Sequence, residues 1–181
     1  MRTRNGFQSP NWTQEELEII WKQADEAGNF PLMVAEENDI ISHARPAPKL
    51  PGIYYLLRDY DIVYVGQAID IDKRIKDHVR EGIKKFDSYY YQYCPVMALD
   101  DLEAMAICKY QPEYNVTIPK NNYIMRQPEL AGRVGALTQE DVSEIISTNN
   151  IKPVWIQGDI KYYDEREIEV YCDEYYQRYK K

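Results

Sequence analysis

Apolar and polar positions change period several times along the chain, and each change marks an element. Residues 52–57 and 62–66, "GIYYLL" and "IVYVG", are short runs rich in aromatic and β-branched residues. They flank the polar turn Arg58-Asp59-Tyr60-Asp61 and read as a β-hairpin. "AIDIDKRIKDHVREGIKKF" then switches to a helical period, with Ile71, Ile75, Val79 and Ile83 as its buried stripe. "FDSYYYQYCPV" is strand-like, and "LDDLEAMAICKYQ" is helical, with Leu102, Met105, Ala106 and Lys109 spaced by turns and "PEYN" as its end. The order β-β-α-β-α predicts a compact α+β unit, a small three-stranded antiparallel sheet flanked by helices.

The flanks have their own patterns. "NWTQEELEIIWKQADEAGNFP" predicts a helix capped by Thr13 with Glu16 completing a capping box, stopped near Gly28, with Leu17, Ile20, Trp21 and Ala24 on one face. A second helix is expected from about Leu32 to His43, and His43 reads as a surface residue. Three prolines in "ARPAPKLPG" exclude regular helix or central strand there and mark the entrance to the next unit. After residue 135 come "LTQEDVSEIISTNN", a helix capped by Thr138 with Asp141, a hairpin "KPVWIQGDIKYY" turning at Gly158-Asp159, and a final helix with Asp164 and Glu167 as cap pair. The expected organisation is a helical extension at 1–48, the α+β domain at 49–120, a linker at 121–135 and a helix-hairpin-helix unit at 136–181.

Composition narrows the function. The formal net charge is -8, which counts against a broad, non-specific grip on nucleic acid but leaves room for a local basic groove. Residues 50–120 are nearest to neutral, and their basic groups cluster from Lys73 to Lys85. Three scattered cysteines suit reduced residues better than a disulfide framework or a zinc site. No apolar run approaches the ~18 residues of a membrane-crossing helix, and "MRTRNGFQSPNW" lacks the apolar core of a signal peptide. A cytoplasmic protein with no membrane partner is expected. The 17 tyrosines against 3 phenylalanines are read as mostly structural.

Gly52-Ile53-Tyr54 and Tyr64-Val65-Gly66 resemble the paired signature of the GIY-YIG nucleases. The rest of that family's pattern follows in order: Arg74 and His78 four apart on the next helix, Glu103 in the second helix, and Asn115 closing the unit. The resemblance covers residues 51–118 and neither flank. It implies a metal-dependent DNA endonuclease, with one Mg²⁺ or Mn²⁺ per active site held at Glu103, and Tyr54, Tyr64, Arg74, His78, Glu103 and Asn115 as the catalytic set. In the family one of the two tyrosines is the general base; Tyr54 is favoured here, with His78 receiving its proton, Tyr64 positioning water or phosphate, and Asn115 orienting the site. Gly52 and Gly66 would permit close backbone approach.

The residue types suit that chemistry. Phosphodiester hydrolysis needs an activated water, charge relief on the phosphate and help for the leaving oxygen. Arginine offers a planar fork to phosphate oxygens, histidine takes or relays a proton near neutral pH, and glutamate is a hard ligand for a divalent cation. A tyrosine, with an ordinary pKa near 10, needs nearby cations to serve as a base. Lys73, Lys76, Arg80, Lys84 and Lys85 read either as a phosphate track or as an ordinary helix surface, since Asp70, Asp72, Asp77 and Glu81 interleave with them. "SYYYQYC" reads first as a strand, with ring stacking on bases as the alternative. The C-terminal unit loosely resembles the winged-helix modules of MerR-like and excisionase proteins, with Lys161 near the wing tip, although the 8 basic and 11 acidic residues of 121–181 suit DNA poorly. Homodimerisation and a protein partner on the flanks stay open. The alternative to a nuclease is a catalytically silent nucleic-acid-binding or protein-interaction regulator. A phage or mobile-element source follows from the family's habits.

Overall fold

The computed structural model describes residues 15, 19, 22, 34, 35, 37–42, 47–134 and 137–179. The expectations placed on Thr13, Glu16, Leu17, Ile20, Trp21, Ala24, Gly28 and His43 lie outside them. The chain divides into two compact units, Met1–Asn115 and Val116–Lys181.

The first unit holds α1 (Glu37–Ser42), β1 (Gly52–Arg58), β2 (Asp61–Ala68), α2 (Ile71–Glu81), β3 (Ser88–Tyr93), a 3₁₀ turn (Val96–Ala98) and α3 (Leu99–Tyr110). Its sheet is antiparallel with order β2-β1-β3, so the expected α+β architecture is present. The β1–β2 turn places Asp59 at φ 52° and Tyr60 at φ 69°, the paired left-handed geometry whose twist matches a two-residue hairpin. The pairing Tyr54↔Gly66 and Leu56↔Tyr64 puts Tyr54 and Tyr64 on one face. Tyr54, Leu56, Val63, Ile71 and Ile75 pack together there. Tyr55 takes the opposite face, its ring 5.8 Å from Tyr90 and 5.9 Å from Tyr110 at the end of α3.

Helix α2 departs from expectation at its end. Asp70 caps its start by accepting from the Lys73 N–H at 2.9 Å, while Gly82 stops it in the left-handed region at φ 63°, its N–H donating to the His78 carbonyl. Lys84, Lys85 and Phe86 therefore lie beyond the helix. The buried stripe is Ile71, Ile75 and His78, with Val79 66% and Ile83 73% exposed. At 100° per residue, position i+7 falls within about 20° of Ile71, whereas i+8 is about 80° away. A histidine thus occupies the core-facing place expected for Val79. On α3, Leu102 and Ala106 are buried and Lys109 is exposed.

The second unit comprises β4 (Ile124–Arg126), α4 (Gln127–Arg133), α5 (Gln139–Thr148), β5 (Trp155–Gln157), β6 (Ile160–Asp164) and α6 (Glu165–Tyr179), with an antiparallel sheet ordered β4-β6-β5. Thr138 and Asp141 form the expected capping box, and Gly158 turns the hairpin at φ 59°. The Arg166 N–H donates to Asp164 Oδ1 at 3.0 Å at the start of α6. Residues 121–135, expected as a linker, instead contain β4 and α4. The Asn121 side chain turns the chain into β4 by accepting from the N–H groups of Tyr123 and Ile124, and Met125 then pairs with Tyr163 on β6. Leu130, Val134, Val142, Ile145, Tyr163 and Ile168 are among the residues of this unit's core.

Candidate active site

Four of the sequence-predicted residues meet on one face of the first sheet. Tyr54 on β1 is 1% exposed, and its Oη lies 2.8 Å from Nε2 of the buried His78. The Tyr64 ring on β2 sits 6.0 Å from the Tyr54 ring and 5.4 Å from the His78 imidazole. Arg74, one turn before His78 on α2, interacts with both phenols. Lys84, just past the helix, places its ammonium 4.4 Å from the centre of the Tyr64 ring.

The glycines have a steric reason. A Cβ at Gly66 would lie 2.3 Å from the Tyr54 hydroxyl, and one at Gly52 would lie 2.3 Å from the Gln92 carbonyl oxygen on β3 and 2.9 Å from Ile71 Cδ1. The Tyr54 hydroxyl thus lies close against β2 at a position only glycine leaves open.

Asn115 does not reach the side chains of this cluster. Its Oδ1 accepts from the Val65 N–H at 2.8 Å and its Nδ2 donates to the Val65 carbonyl at 2.9 Å, while the Tyr114 N–H donates to the Val63 carbonyl. β2 is an edge strand, and residues 114–115 occupy its free edge. Asn115 thereby fixes the backbone between Tyr64 and Gly66.

Glu103 reaches the site from α3. Its Oε2 accepts from Gln67 Nε2 at 2.9 Å, and the same amide donates to Asp100 Oδ1 at 2.5 Å. Gln67 pairs with Ile53, two places along β2 from Val65. Glu103 is close enough to Tyr64 for its charge to raise that phenol's pKa. Gln67 and Asp100 were not foreseen. The only signal for Gln67 was its place directly after Tyr64-Val65-Gly66.

Burial governs the electrostatics. It pushes the Tyr54 phenol above its ordinary pKa; Tyr64 adds to the rise, and Arg74 opposes it without winning. Tyr64 is raised too, by burial and then by the charge of Glu103. Burial lowers the Arg74 guanidinium, but Tyr54 and Glu81 outweigh it and leave a firm cation. Burial, then the charges of Arg74 and Lys84, push His78 down to about 4. Burial and the charge of Asp100 raise the Glu103 carboxyl. Arg74 and Lys84 alone therefore do not depress the phenols, which the fold raises instead. Tyr54 is a neutral phenol bonded to a neutral imidazole.

The depressed His78 value has a stability consequence. Between its ordinary 6.5 and about 4 the unfolded chain binds this proton and the folded one does not, so stability falls as pH falls through that window. The contribution is at most about 3–4 kcal/mol. Thermal melts from pH 7 to 4 should show a shallower decline for His78→Gln than for wild type; parallel slopes would mean His78 titrates normally.

Among the described residues no helix is long and apolar enough to cross a membrane, and Cys94, Cys108 and Cys172 form no disulfide there. Exposed Lys76 pairs with Asp72 at 2.7 Å and Arg80 with Asp77 at 2.6 Å, whereas Lys85 donates to the Gly82 carbonyl at 2.9 Å. Lys73 is exposed, as is Lys161 on β6.

No family model matches the chain. UvrABC system protein C from Clostridioides difficile (strain 630) is 26% identical over 125 residues, which is 62% of this chain and 20% of that protein. The chain thus spans about a fifth of the length of the curated relative it matches. Two crystal structures of the GIY-YIG N-terminal endonuclease domain of UvrC from Thermotoga maritima are also similar. One, bound to magnesium as its catalytic divalent cation, is 27% identical, covering 38% of this chain and 86% of that one at a TM-score of 0.34. The other, a point mutant bound to its catalytic divalent cation, is 28% identical, covering 39% and 88% at a TM-score of 0.35. Residues 51–118, with the ordered motif gathered about one three-stranded sheet, are thus similar to a GIY-YIG segment.

Proposed function

We propose that the chain is a metal-dependent endonuclease hydrolysing phosphodiester bonds in DNA, with Tyr54 as general base. The observation that carries this is the 2.8 Å contact between the Tyr54 hydroxyl and His78 Nε2, buried beside Arg74 and Tyr64. A phenol with a raised pKa does not wait as a phenolate. It takes a proton from water while passing its own to a neutral imidazole, which leaves the water oxygen free to attack phosphorus. Arg74, held as a cation, offers its guanidinium to the phosphate. Tyr64 positions the water or the phosphate, and Asn115 holds the strand that carries it.

Glu103 is the residue to hold the divalent cation. The donor chemistry fits: burial and the Asp100 charge both make the Glu103 carboxylate costly to ionise, and a bound cation would relieve both. Among the described residues no group of three or more His, Cys, Asp and Glu side chains gathers. Water and phosphate oxygens would therefore complete the shell, as suits Mg²⁺ or Mn²⁺. When bound, the ion supplies charge relief at the phosphate and the leaving oxygen.

Lys73, Lys76, Arg80, Lys84 and Lys85 are the proposed phosphate contacts. The surface pairs of Lys76 and Arg80 are weak enough for phosphate to displace. The order of strands and helices in the second unit supports a winged-helix reading with Lys161 near the wing. Glu140, Asp141 and Glu144 on α5 oppose DNA docking through that helix, which makes a protein partner the competing role. One site cuts one strand, so a double-strand break needs a homodimer or two successive nicks. A cytoplasmic setting is supported by composition, and a phage or mobile-element source by the family's habits and the C-terminal unit.

The test is supercoiled plasmid with Mg²⁺ or Mn²⁺, run beside EDTA. Nicked or linear product that EDTA abolishes is expected. Folded protein that leaves supercoiled, linear and branched DNA intact would overturn the enzyme reading in favour of a silent binding module.

A further inference from the structure

His78 uses only one of its ring nitrogens on Tyr54. The other, Nδ1, is buried without a hydrogen-bond partner. An acidic group faces it: Glu81 Oε2 is 3.7 Å away. The second oxygen of the same carboxylate lies 3.5 Å from Arg74 Nη1. One side chain thus straddles both α2 residues of the cluster, at i+3 from His78 and i+7 from Arg74.

The position of Glu81 is unfavourable for an anion on helical grounds. It is the last residue of α2, where unpaired carbonyls carry partial negative charge. What favours a carboxylate there is the pair of groups it faces. Interleaved acids elsewhere on the helix are committed outward, Asp72 to Lys76 and Asp77 to Arg80.

We propose that Glu81 is a positioning residue, whose carboxylate fixes His78 as the Nδ1–H tautomer and so keeps Nε2 free to receive the Tyr54 proton. At 3.7 Å the contact is longer than a hydrogen bond. The Glu81 side chain is 38% exposed on a flexible stem, which in the proposed arrangement turns to close this gap. The catalytic consequence rests on the nuclease reading; the tautomer does not. In the reaction a water O–H bond breaks, its proton goes to the Tyr54 oxygen, and the Tyr54 proton passes to Nε2. The water oxygen bonds to phosphorus, the bond to the leaving oxygen breaks, and that oxygen takes a proton from solvent. The imidazolium so formed shares its Nδ1–H with Glu81 until it returns its proton to solvent, as a buried carboxylate does for histidine in hydrolytic triads.

The groups facing His78 are Tyr54 from β1, Tyr64 from β2, Arg74, Asp77 and Glu81 on α2, and Lys84 beyond it. Burial, Arg74 and Lys84 oppose charging the ring. Glu81 leads the opposing acids, ahead of Asp77.

The test uses the full chain and two variants, Glu81→Ala and Glu81→Gln. The protein has 2 histidines, so ¹⁵N-detected ring spectra with a His43→Gln control assign His78 directly. Wild type should show the Nδ1–H tautomer, and Glu81→Ala should shift it toward Nε2–H. On plasmid with Mg²⁺, Glu81→Ala should lose about 10²-fold in kcat with KM unchanged, and Glu81→Gln, which keeps an acceptor, should lose less. An unchanged tautomer in Glu81→Ala overturns the proposal whatever the rate. A loss confined to KM also overturns it, by tracing the effect to Arg74. The expected tautomer shift between wild type and Glu81→Ala, in a wild type that cuts no DNA, would instead sink the nuclease reading alone.

Discussion

Glu103→Gln should abolish metal-dependent cleavage while leaving the protein as stable as wild type or slightly more so. The two effects have separate physical causes. The amide keeps the volume of the side chain, and its oxygen still accepts the Gln67 Nε2–H that the carboxylate accepts at 2.9 Å. Burial and the neighbouring Asp100 charge make the ionised carboxylate unfavourable in the fold. Removing that charge relieves strain in the protein without its ligand. The same removal takes away the one anionic ligand proposed for the cation. An ion supplies several kcal/mol of transition-state stabilisation in phosphoryl chemistry, so the loss should be on the order of 10³-fold or more. Initial rates on supercoiled plasmid in Mg²⁺ and Mn²⁺, beside thermal melts with and without metal, read both effects. Metal should raise the Tm of wild type and not of the variant. A variant that cuts as fast as wild type would place the metal elsewhere.

Much of this site was legible because its spacing is local. Tyr54 and Tyr64 share a face once a two-residue hairpin turn is recognised, since side chains alternate along strands. Arg74 and His78 share a helix face at i and i+4. The Thr138–Asp141 capping box and the Gly158 turn are equally short-range.

What was not legible depends on partners far away in sequence. The apolar period of Val79 and Ile83 continues past the true end of α2. Nothing in "REGIKK" alone says that Gly82 will adopt the left-handed conformation and stop the helix. β4 is three residues long and exists because β6 pairs with it some forty residues later. A strand that short has no period of its own to read. Asn115 was identified but its target was not, because latching Val65 depends on β2 being an edge strand. The rise of both phenols was not legible for a related reason. Cations near Tyr54 are visible in the sequence, whereas the depth of its burial is a property of the closed fold.

Tyr54→Phe should cost far more activity than Tyr55→Phe, and this contrast is the sharpest test of how the site works. The two residues are neighbours on β1 and both are buried, at 1% and 0% exposure. Each substitution removes one buried hydroxyl and keeps the ring. Tyr54→Phe also leaves the buried His78 Nε2 without its partner, at a stability cost of about 1–3 kcal/mol, so rates are compared on folded protein at matched stability. Their chemistry differs because alternation points them to opposite faces. Tyr54 meets His78 at 2.8 Å, whereas Tyr55 lies among the rings of Tyr90 and Tyr110. Tyr54→Phe breaks the path from water to imidazole and should lower kcat about 10³-fold, in the range expected for losing a general base. Tyr55→Phe should cut at close to the wild-type rate. Tyr64→Phe separates the two candidate bases. Tyr64 has no hydrogen bond to His78 among the contacts described, only a ring contact at 5.4 Å, so its loss should be smaller than that of Tyr54. A larger loss at Tyr64 would move the base to β2 and leave the Tyr54–His78 pair a structural one. Equal losses at Tyr54 and Tyr55 would mean that both act through packing, and no proton relay runs through this face of the sheet.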